Sequence, residues 1–517
     1  MRSDGMLPYE FVEQTSRSQI TGYAGLLPYL DLACVLGVLK EADEKIGISG
    51  SQGWMDRHQV LSLMLLNLAG GECIEDIRIL ESDAGLCRVF RQAQCYGLSR
   101  SERGGLEKRF RKGRNRTFPS ATRIYEYLDE FHNPCEEEKR VEGKALVPAR
   151  NAYLEGLCQL NEVLVAGVQR HCPHSEATLE IDATLQETTK REALFCYEGY
   201  RAYQPVTAYW AETGMALLSE FRDGNVPAGD DMLRIVNESL AALPDGVNRV
   251  RVRMDSAGYQ HEVLKFCATG DGGKRDVIEF TVSNDMTEEF RRAALEVKEQ
   301  EWKPLYRVEG GREVATGQQS PEVVYVPNAI AFTKDAPVYR YLAIRELVKQ
   351  GVLPGMHGSQ SQMDLPFATI SCGGRTYRVK GIVSNREGHG AELIRWHYER
   401  CGKSEEAHAV MKIDLAGGCL PSGKFGASAA WWGIMVLAFK VHAAMRLLAL
   451  PGGLKKKRLK AIRFALIDTP ARLVEHSRQL FIGLGRGHPA LEWLLEMRRL
   501  IRGLALRPGS GQALSAA

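Results

Sequence analysis

The chain has 517 residues, of which 44% are apolar and 25% are charged, and its net charge is +3. This composition is typical of a soluble globular protein with several domains, and it excludes both long disordered segments and a small disulfide-stapled scaffold. The 12 cysteines show no paired CxxC spacing, and the N-terminus has no apolar signal-peptide core. We therefore expect a protein of a reducing, cytoplasmic compartment.

Residues 1–170 are predicted to form a mainly helical N-terminal DNA-binding region. The segment DRHQVLSLMLLNLAGG (56–71) has apolar residues at helical spacing and ends on two glycines. A further helix is predicted for PSATRIYEYLDEF (119–131), which starts with Pro and Ser. Several short helices beside a basic stretch suit a DNA-binding bundle, and they suit a plain helical bundle equally well.

Two basic blocks bear on the choice of partner. Eight Lys or Arg residues stand against two acids from Arg100 to Arg116, and fifteen against four from Lys440 to Arg507. Such a block commonly forms a solvated helix face. Two of them also favour a polyanionic partner such as DNA, because phosphate binding draws on clustered positive charge.

The period of the pattern changes to two at TLEIDATL (178–185), which predicts a half-buried strand with Asp182 on its polar face. A hairpin around Glu212–Gly214 and a helix follow, and then the alternating RVRVRM (249–254) ends at Asp255. In this order the first and fourth strands can lie side by side. The two carboxylates would then form an oxygen-only site of the kind that Mg²⁺ prefers, although an aspartate on a polar strand face is commonly only solvated.

The rest of the chain is divided by composition. Residues 272–385 are richer in strand-like runs than in helices and predict a β-rich insertion between two parts of a core, 171–271 and 386–450. A basic helical region follows over 451–517. The most apolar run, 427–439, has 13 residues, which is too short to cross a bilayer, so we predict a buried helix and no membrane partner.

A third carboxylate is available in the helical segment after the insertion. Tyr398, Glu405 and Lys412 are spaced by seven residues, so they drift by only about 20° per step and are predicted to share one helix face. The neighbouring Glu406 falls on a different, apolar row. Two alternatives stay open: a solvated surface helix, or a helix interrupted at Gly402, which would leave Tyr398 off the face.

Three ordered motifs carry a family resemblance. Residues 179–229 (LEIDATL to NVPAG), 251–260 (RVRMDSAGYQ) and 396–435 (WHYERCGKSEEAHAVMK to AAWWGIM) resemble transposases of the insertion sequence 1380 family, within the cut-and-paste DDE group. The resemblance covers roughly residues 20 to 480. It implies an α/β fold with a ribonuclease-H-like mixed-sheet catalytic core and a β-rich insertion, and Mg²⁺-dependent or Mn²⁺-dependent cutting and joining of transposon ends.

The resemblance also implies residue roles. Asp182, Asp255 and Glu405 match the catalytic metal ligands, and Lys412 matches a contact to a DNA-end phosphate. Tyr398 and Arg400 are expected to support that phosphate. The family position of the arginine holds Cys401, so Arg400 stands one residue early.

The implied setting is a homodimer on paired transposon ends and target DNA, in the bacterial cytoplasm at the nucleoid. A non-catalytic DNA-binding protein derived from a mobile element is the alternative, and a nuclease that does not join DNA is a third. Trp302, in the insertion, is either a stacking platform for a flipped base or a core residue.

Overall fold

The computed structural model describes residues 19–110, 114–270, 277–327, 337–348, 367–477 and 479–506. Helices dominate up to residue 171, after a short strand. These elements are β1 (Gln19–Thr21), α1 (Leu27–Val35), α2 (Val38–Lys45), α3 (Asp56–Ala69), α4 (Ile77–Ser82), α5 (Ala84–Gln94), α6 (Arg100–Lys108), α7 (Ala121–Asp129), α8 (Pro134–Glu137) and α9 (Ala152–His171). As predicted, α3 stops at Gly70, which adopts a φ of 92°, and α7 begins after Ser120, whose hydroxyl accepts the Arg123 N–H.

The first basic block is partly internal. Arg109 donates from Nε to the Gly53 carbonyl at 3.1 Å. Arg114 donates to the Thr117 carbonyl at 2.9 Å, and its guanidinium lies 4.9 Å from the centre of the Trp54 ring. These cations therefore hold the helical region together, and residues 111–113 of the block lie outside the described residues.

The next elements build the centre of a large sheet. They are β2 (Glu176–Ala183), β3 (Gln186–Glu187), β4 (Ala202–Tyr203), β5 (Val206–Trp210), β6 (Met215–Glu220), α10 (Met232–Ala241), β7 (Arg249–Met254), α11 (His261–Thr269) and β8 (Glu279–Ser283). The sheet order is β6-β5-β2-β7-β8, in which β2 pairs antiparallel with β5 and parallel with β7, and β7 pairs parallel with β8. This order and polarity are those of a ribonuclease-H-like core, so the predicted fold class is confirmed.

The prediction that β2 is half-buried was wrong. Its residues from Ala177 to Ile181 are buried on both faces. The strand lies in the middle of the sheet, and its polar face is covered because Glu180 pairs with Arg253 on β7 instead of facing water. Alternation marked the polar positions correctly, but it did not show what covers them.

The β-rich run extends the same sheet. Its elements are α12 (Glu288–Glu296), β9 (Lys303–Glu309), β10 (Arg312–Ser320), β11 (Glu322–Val323), β12 (Arg340–Leu347), β13 (Thr369–Cys372) and β14 (Arg375–Ser384). β14 pairs antiparallel with β8, and β12, β10 and β9 continue outward. With β11, which pairs with β12, and β13, which pairs with β14, the sheet has 11 strands among the described residues. Trp302 is only 5% exposed and lies 4.3 Å beneath the Arg345 guanidinium, so it is a core residue and not a stacking platform.

The last part of the chain wraps a long core helix. Its elements are α13 (Gly390–Tyr398), α14 (Lys403–Ala409), a π-helical turn (Val410–Asp414), α15 (Phe425–Leu448), α16 (Gly452–Lys455), α17 (Leu459–Ile462), β15 (Ala471–His476), β16 (Gln479–Gly483) and α18 (Ala490–Ala505). Within the described ranges, α15 alone is long and apolar enough to cross a membrane, and 78% of its most apolar window is buried inside the protein. It is the buried helix that the sequence predicts.

Lys440, at the start of the second basic block, is not a surface cation. It is 1% exposed on α15, and its ammonium donates to the carbonyls of Asn161 (3.1 Å) and Leu217 (3.5 Å). Burial lowers the pKa of Lys440 to about 7, against a smaller upward effect of Cys158 and Glu162. The folded protein therefore holds a proton at this site less tightly than the unfolded chain does.

We expect Lys440→Met to stabilise the protein at pH 6–7 and to lose that advantage as the pH rises. Between pH 7 and the ordinary lysine pKa, the unfolded wild type binds more protons than the folded wild type. The free energy of unfolding of the wild type therefore rises by roughly 1.4 kcal/mol per pH unit, whereas that of Lys440→Met lacks this contribution. Urea denaturation at several pH values measures the difference. The exposed Lys456→Met is the control, and pH profiles that run parallel for Lys440→Met and wild type would contradict the prediction.

Candidate active site

The two predicted aspartates meet at the ends of adjacent parallel strands. The last paired residues of β2 and β7 are Ile181 and Met254, and Asp182 and Asp255 are the next residue on each strand. Both lie at the carboxyl end of the sheet's central strands, where open α/β sheets bind ligands. The sequence prediction that these two strands are neighbours is confirmed.

The electrostatics of Asp182 indicate which groups surround it. Burial raises the pKa of Asp182 to about 6, and the Arg400 guanidinium opposes that rise. Asp255 and Glu405 both add to the rise through charge repulsion. The charges of Asp255, which follows β7, and of Arg400 and Glu405, which lie in one short segment, therefore all affect the pKa of this one carboxyl group.

Asp255 is held by its own turn. Its Oδ1 accepts the Ala257 N–H at 3.0 Å, which caps the 3-10 turn Ser256–Gly258 that follows β7. Because a capping aspartate cannot rotate without losing that bond, the carboxylate is fixed relative to the strand end. The site thus has one acid anchored by a turn and a second buried against an arginine.

The predicted shared face of Tyr398, Glu405 and Lys412 was wrong. Helix α13 ends at Tyr398, and α14 begins only after Gly402, which adopts a φ of 83°. A left-handed residue breaks the helix, and glycine is the residue that takes this conformation without strain. Lys412 then lies in a separate π-helical turn, so the three residues belong to three different local segments.

The two adjacent glutamates face different parts of the protein. The charge of Glu405 raises the pKa of Asp182 and the pKa of His408. Its Oε2 accepts the Gly402 N–H at 2.5 Å, which caps α14. The charge of Glu406 instead raises the pKa of Arg458, in the C-terminal region. Glu405 is therefore the one of the two glutamates whose charge affects Asp182, although the helix-face argument that selected it does not apply.

Arg400 lies at the site despite its shifted position in the motif. Its Nη2 is 3.8 Å from Asp182 Oδ2, and its side chain is largely buried. Its Nε has no hydrogen-bond partner within the described residues. Arg400 lies in the turn between α13 and α14. Arg400 therefore offers a spare buried donor beside the acids.

Lys412 and Tyr398 lie around the site in less direct positions. The Lys412 ammonium donates to the Leu185 carbonyl at 2.6 Å and to the Thr184 hydroxyl at 3.3 Å, so it braces the chain just after Asp182. Burial lowers the pKa of Lys412. Tyr398 packs on an apolar cluster formed with Leu393 and its neighbours, and burial raises the pKa of its hydroxyl to about 12.

A buried ion pair supports the site from beneath. Arg253, 2% exposed on β7, pairs with Glu180 on β2, and its Nη1 donates to the Trp396 carbonyl at 2.5 Å and to Glu399 at 3.2 Å. It thereby joins both aspartate-bearing strands to the end of α13 and the turn that carries Arg400. In the sequence, the alternation of RVRVRM places Arg253 on the same polar face as Asp255. No local pattern indicated that Arg253 contacts α13.

The donor chemistry of the site fits a hard divalent cation. Asp182, Asp255 and Glu405 offer only oxygen ligands, which suit Mg²⁺. Within the described part of the chain, however, no three His, Cys, Asp or Glu side chains converge closely enough to enclose a metal ion. One oxygen of the Glu405 carboxylate, Oε2, accepts the Gly402 N–H.

Comparison with known proteins gives a structural likeness and no match of sequence. No protein-family model matches the chain, and no curated protein matches it. Among solved structures, a cryo-EM structure of the piggyBac transposase synaptic complex with hairpin DNA aligns over 95% of this chain and 83% of its own. The TM-score is 0.37 at 8% sequence identity. The functional argument therefore rests on the sheet order and the site of this chain.

Proposed function

We propose that the protein is a DDE transposase of the insertion sequence 1380 family, which binds terminal inverted repeats, cleaves phosphodiester bonds and joins 3′-hydroxyl ends to target DNA. The observation that carries the proposal is the meeting of Asp182 and Asp255 at the ends of adjacent parallel strands, with Arg400 and Glu405 acting on Asp182. Acids brought together in this way destabilise the free protein because their negative charges repel each other. Clusters of acids with shifted pKa values are typical of functional sites.

The proposed cofactor is Mg²⁺, for which Mn²⁺ can substitute, held by Asp182, Asp255 and Glu405. When bound, such ions make a water or a sugar hydroxyl more nucleophilic and stabilise the leaving oxygen. In cleavage, water attacks the phosphorus, the bond to the 3′ oxygen breaks, and that oxygen leaves as a 3′-hydroxyl. In joining, the 3′-hydroxyl attacks a target phosphate and displaces the target strand's own 3′ oxygen.

The cations of the site are proposed to hold the phosphate. The Arg400 Nη2 lies 3.8 Å from Asp182, and its buried Nε has no partner among the described residues, so a small movement of the side chain would let Nε donate to a phosphate oxygen without breaking a bond at that atom. Lys412 would place its charge near the end of β2, and Tyr398 would act through packing at the end of α13. The proposal includes a homodimer on paired ends and a cytoplasmic, nucleoid-associated location.

A cleavage assay with Asp182→Asn tests the proposal. The substrate is the DNA that flanks the coding region, carrying its terminal repeats, and the wild type is expected to cut it with Mg²⁺ and not with EDTA. We expect Asp182→Asn to lower the cleavage rate by more than about 100-fold, since even residues that only support metal ligands are worth 10- to 100-fold. End binding in a gel-shift assay should persist.

Asp285→Asn is the matched control, because Asp285 follows β8, the next parallel strand of the sheet, without the surrounding motif. Its cleavage rate is expected to stay near that of wild type. Binding without any cut product would favour the non-catalytic DNA-binding alternative. Cut product that never joins a target would favour a nuclease, and equal cleavage by Asp182→Asn and wild type would refute the site.

A further inference from the structure

The loop between β3 and β4 builds a firm hairpin beside Asp255. Phe195 and Arg201 form an antiparallel bridge, the Cys196 N–H donates to the Tyr200 carbonyl at 2.9 Å, and the Gly199 N–H donates to the Cys196 carbonyl at 3.0 Å. The Phe195 N–H is fixed by the Glu142 carboxylate at 2.9 Å. These hydrogen bonds give the tip a defined shape, and none of them involves a catalytic group.

This hairpin presents aromatic rings to solvent. Tyr197, at the tip, is 79% exposed, although it belongs to a tight, hydrogen-bonded turn. Phe195 is also largely exposed, and the Arg201 guanidinium lies 4.4 Å from the centre of its ring. Residues 188–201 carry three basic side chains and two acidic ones. The tip thus combines rigid, accessible ring faces with a small excess of positive charge.

The rings rim a cavity that ends at a proposed catalytic acid. The cavity has a volume of about 830 Å³, within the roughly 300–1,000 Å³ typical of ligand pockets, and its lining includes Phe195, Tyr197, Gln204, Asn225 and Asp255. It is therefore continuous with the candidate active site. A group held in it would lie next to the phosphate that Asp255 is proposed to serve.

Two hydrogen-bond acceptors in the cavity wall have no donor within the described residues. The side-chain carbonyl oxygen of Gln204 is unpaired although the residue is 5% exposed, and the Asn225 Oδ1 is also buried and unpaired. Buried acceptors without a partner are costly and uncommon in native structures. Because both residues line the cavity, a ligand with N–H groups could satisfy these acceptors after a small rotation of the two side chains.

From this geometry, and resting on the proposed function, we propose that the cavity binds one unstacked base of the DNA substrate. Tyr197 and Phe195 stack on the base, and Gln204 and Asn225 accept hydrogen bonds from its edge. Every base has a face for stacking, and each has at least one edge N–H to donate. Trp302 cannot take this role, because it is buried in the sheet extension.

A fluorescence titration tests the proposal without the transposon end sequence. The probe is a single-stranded DNA of about eight nucleotides with one 2-aminopurine, in Ca²⁺ so that it is not cut. We expect the wild type to quench the probe. Tyr197→Ala should weaken its binding by roughly 5- to 150-fold, which corresponds to the 1–3 kcal/mol of one base–aromatic stack, and should abolish quenching.

Tyr197→Phe keeps the ring and is expected to bind and quench like wild type. Tyr306→Ala, which removes an exposed tyrosine far along the sheet on β9, controls for a general loss of aromatic surface. A probe with an abasic site in place of the 2-aminopurine should erase the difference between Tyr197→Ala and wild type in a gel-shift assay, because the stacking partner is gone.

Two outcomes overturn the proposal: quenching by Tyr197→Ala equal to that of wild type, or no binding of the probe by the wild type. The result is separable from the proposed function. If flanking DNA is cut normally while Tyr197→Ala behaves as wild type in the titration, the base cavity alone fails. If the wild type quenches the probe but never cuts flanking DNA, the cavity stands and the transposase assignment fails.

Discussion

Glu405→Gln is expected to abolish DNA cleavage while leaving DNA binding and folding intact. The substitution removes the charge that acts on Asp182, but the glutamine carbonyl can still accept the Gly402 N–H that caps α14. The start of the helix is therefore preserved, and a lost activity reports on the carboxylate itself. We expect the cleavage rate to fall by more than about 100-fold, as for a direct metal ligand.

Glu406→Gln is the matched control, since it removes the same charge one residue further along the same helix. Glu406 faces Arg458 and not Asp182, so the rate should stay within about twofold of wild type, the range of ordinary surface substitutions. Thermal denaturation should give similar midpoints for both variants. Equal loss of cleavage in the two variants, or full activity of Glu405→Gln, would rule out Glu405 as the third acid.

Arg253→Met is expected to cause the largest loss of stability. It leaves Glu180 buried without its partner and removes the bonds to Trp396 and Glu399. Breaking a buried pair by removing one side costs about 3–5 kcal/mol, because an uncompensated charge stays in the interior. The free energy of unfolding, measured by urea denaturation, should fall by that amount.

A double variant separates stability from activity. Glu180→Met combined with Arg253→Met removes both charges, and apolar replacement of a whole buried pair is often neutral. We expect it to recover most of the stability but not the cleavage rate, because α13 and the Arg400 turn lose their tie to the strand that carries Asp255.

Arg249→Met is the control for the Arg253 series, since Arg249 points to the same side of β7 but is 52% exposed and should cost less than about 1 kcal/mol. Full cleavage activity in the folded double variant would show that Arg253 is only structural. Stability of Arg253→Met equal to that of Arg249→Met would contradict the account of the buried pair.

Under the two proposals, the base cavity and the acid site would contact different parts of the DNA. The acids and Arg400 would contact the phosphate, which is the same in every sequence, whereas Gln204 and Asn225, which line the cavity, would contact the edge of a base. Under the proposed function, loss of Tyr197 would weaken DNA binding, and loss of Glu405 would stop the chemistry. The two variants would therefore separate positioning of the DNA end from its cleavage.

The sequence by itself determined the positions of the two aspartates. Alternation in TLEIDATL and RVRVRM marks polar positions locally, and the order of strands and helix places β2 beside β7, as the sheet shows. It also determined the apolar helix α15, the end of α3 and the start of α7, because periodicity, glycine and capping residues act within a few positions.

Only the tertiary structure decided how the third segment meets the strands. A seven-residue spacing selected Glu405 on the assumption of one continuous helix, and an interruption at Gly402 stayed open as an alternative. The structure shows the interruption, and Arg400, which lies in the turn before Gly402, is 3.8 Å from Asp182. The burial of β2 on both faces, of Trp302 and of Lys440 was equally out of reach. Each depends on residues distant in the chain, and local pattern shows which side chains are polar but not what finally covers them.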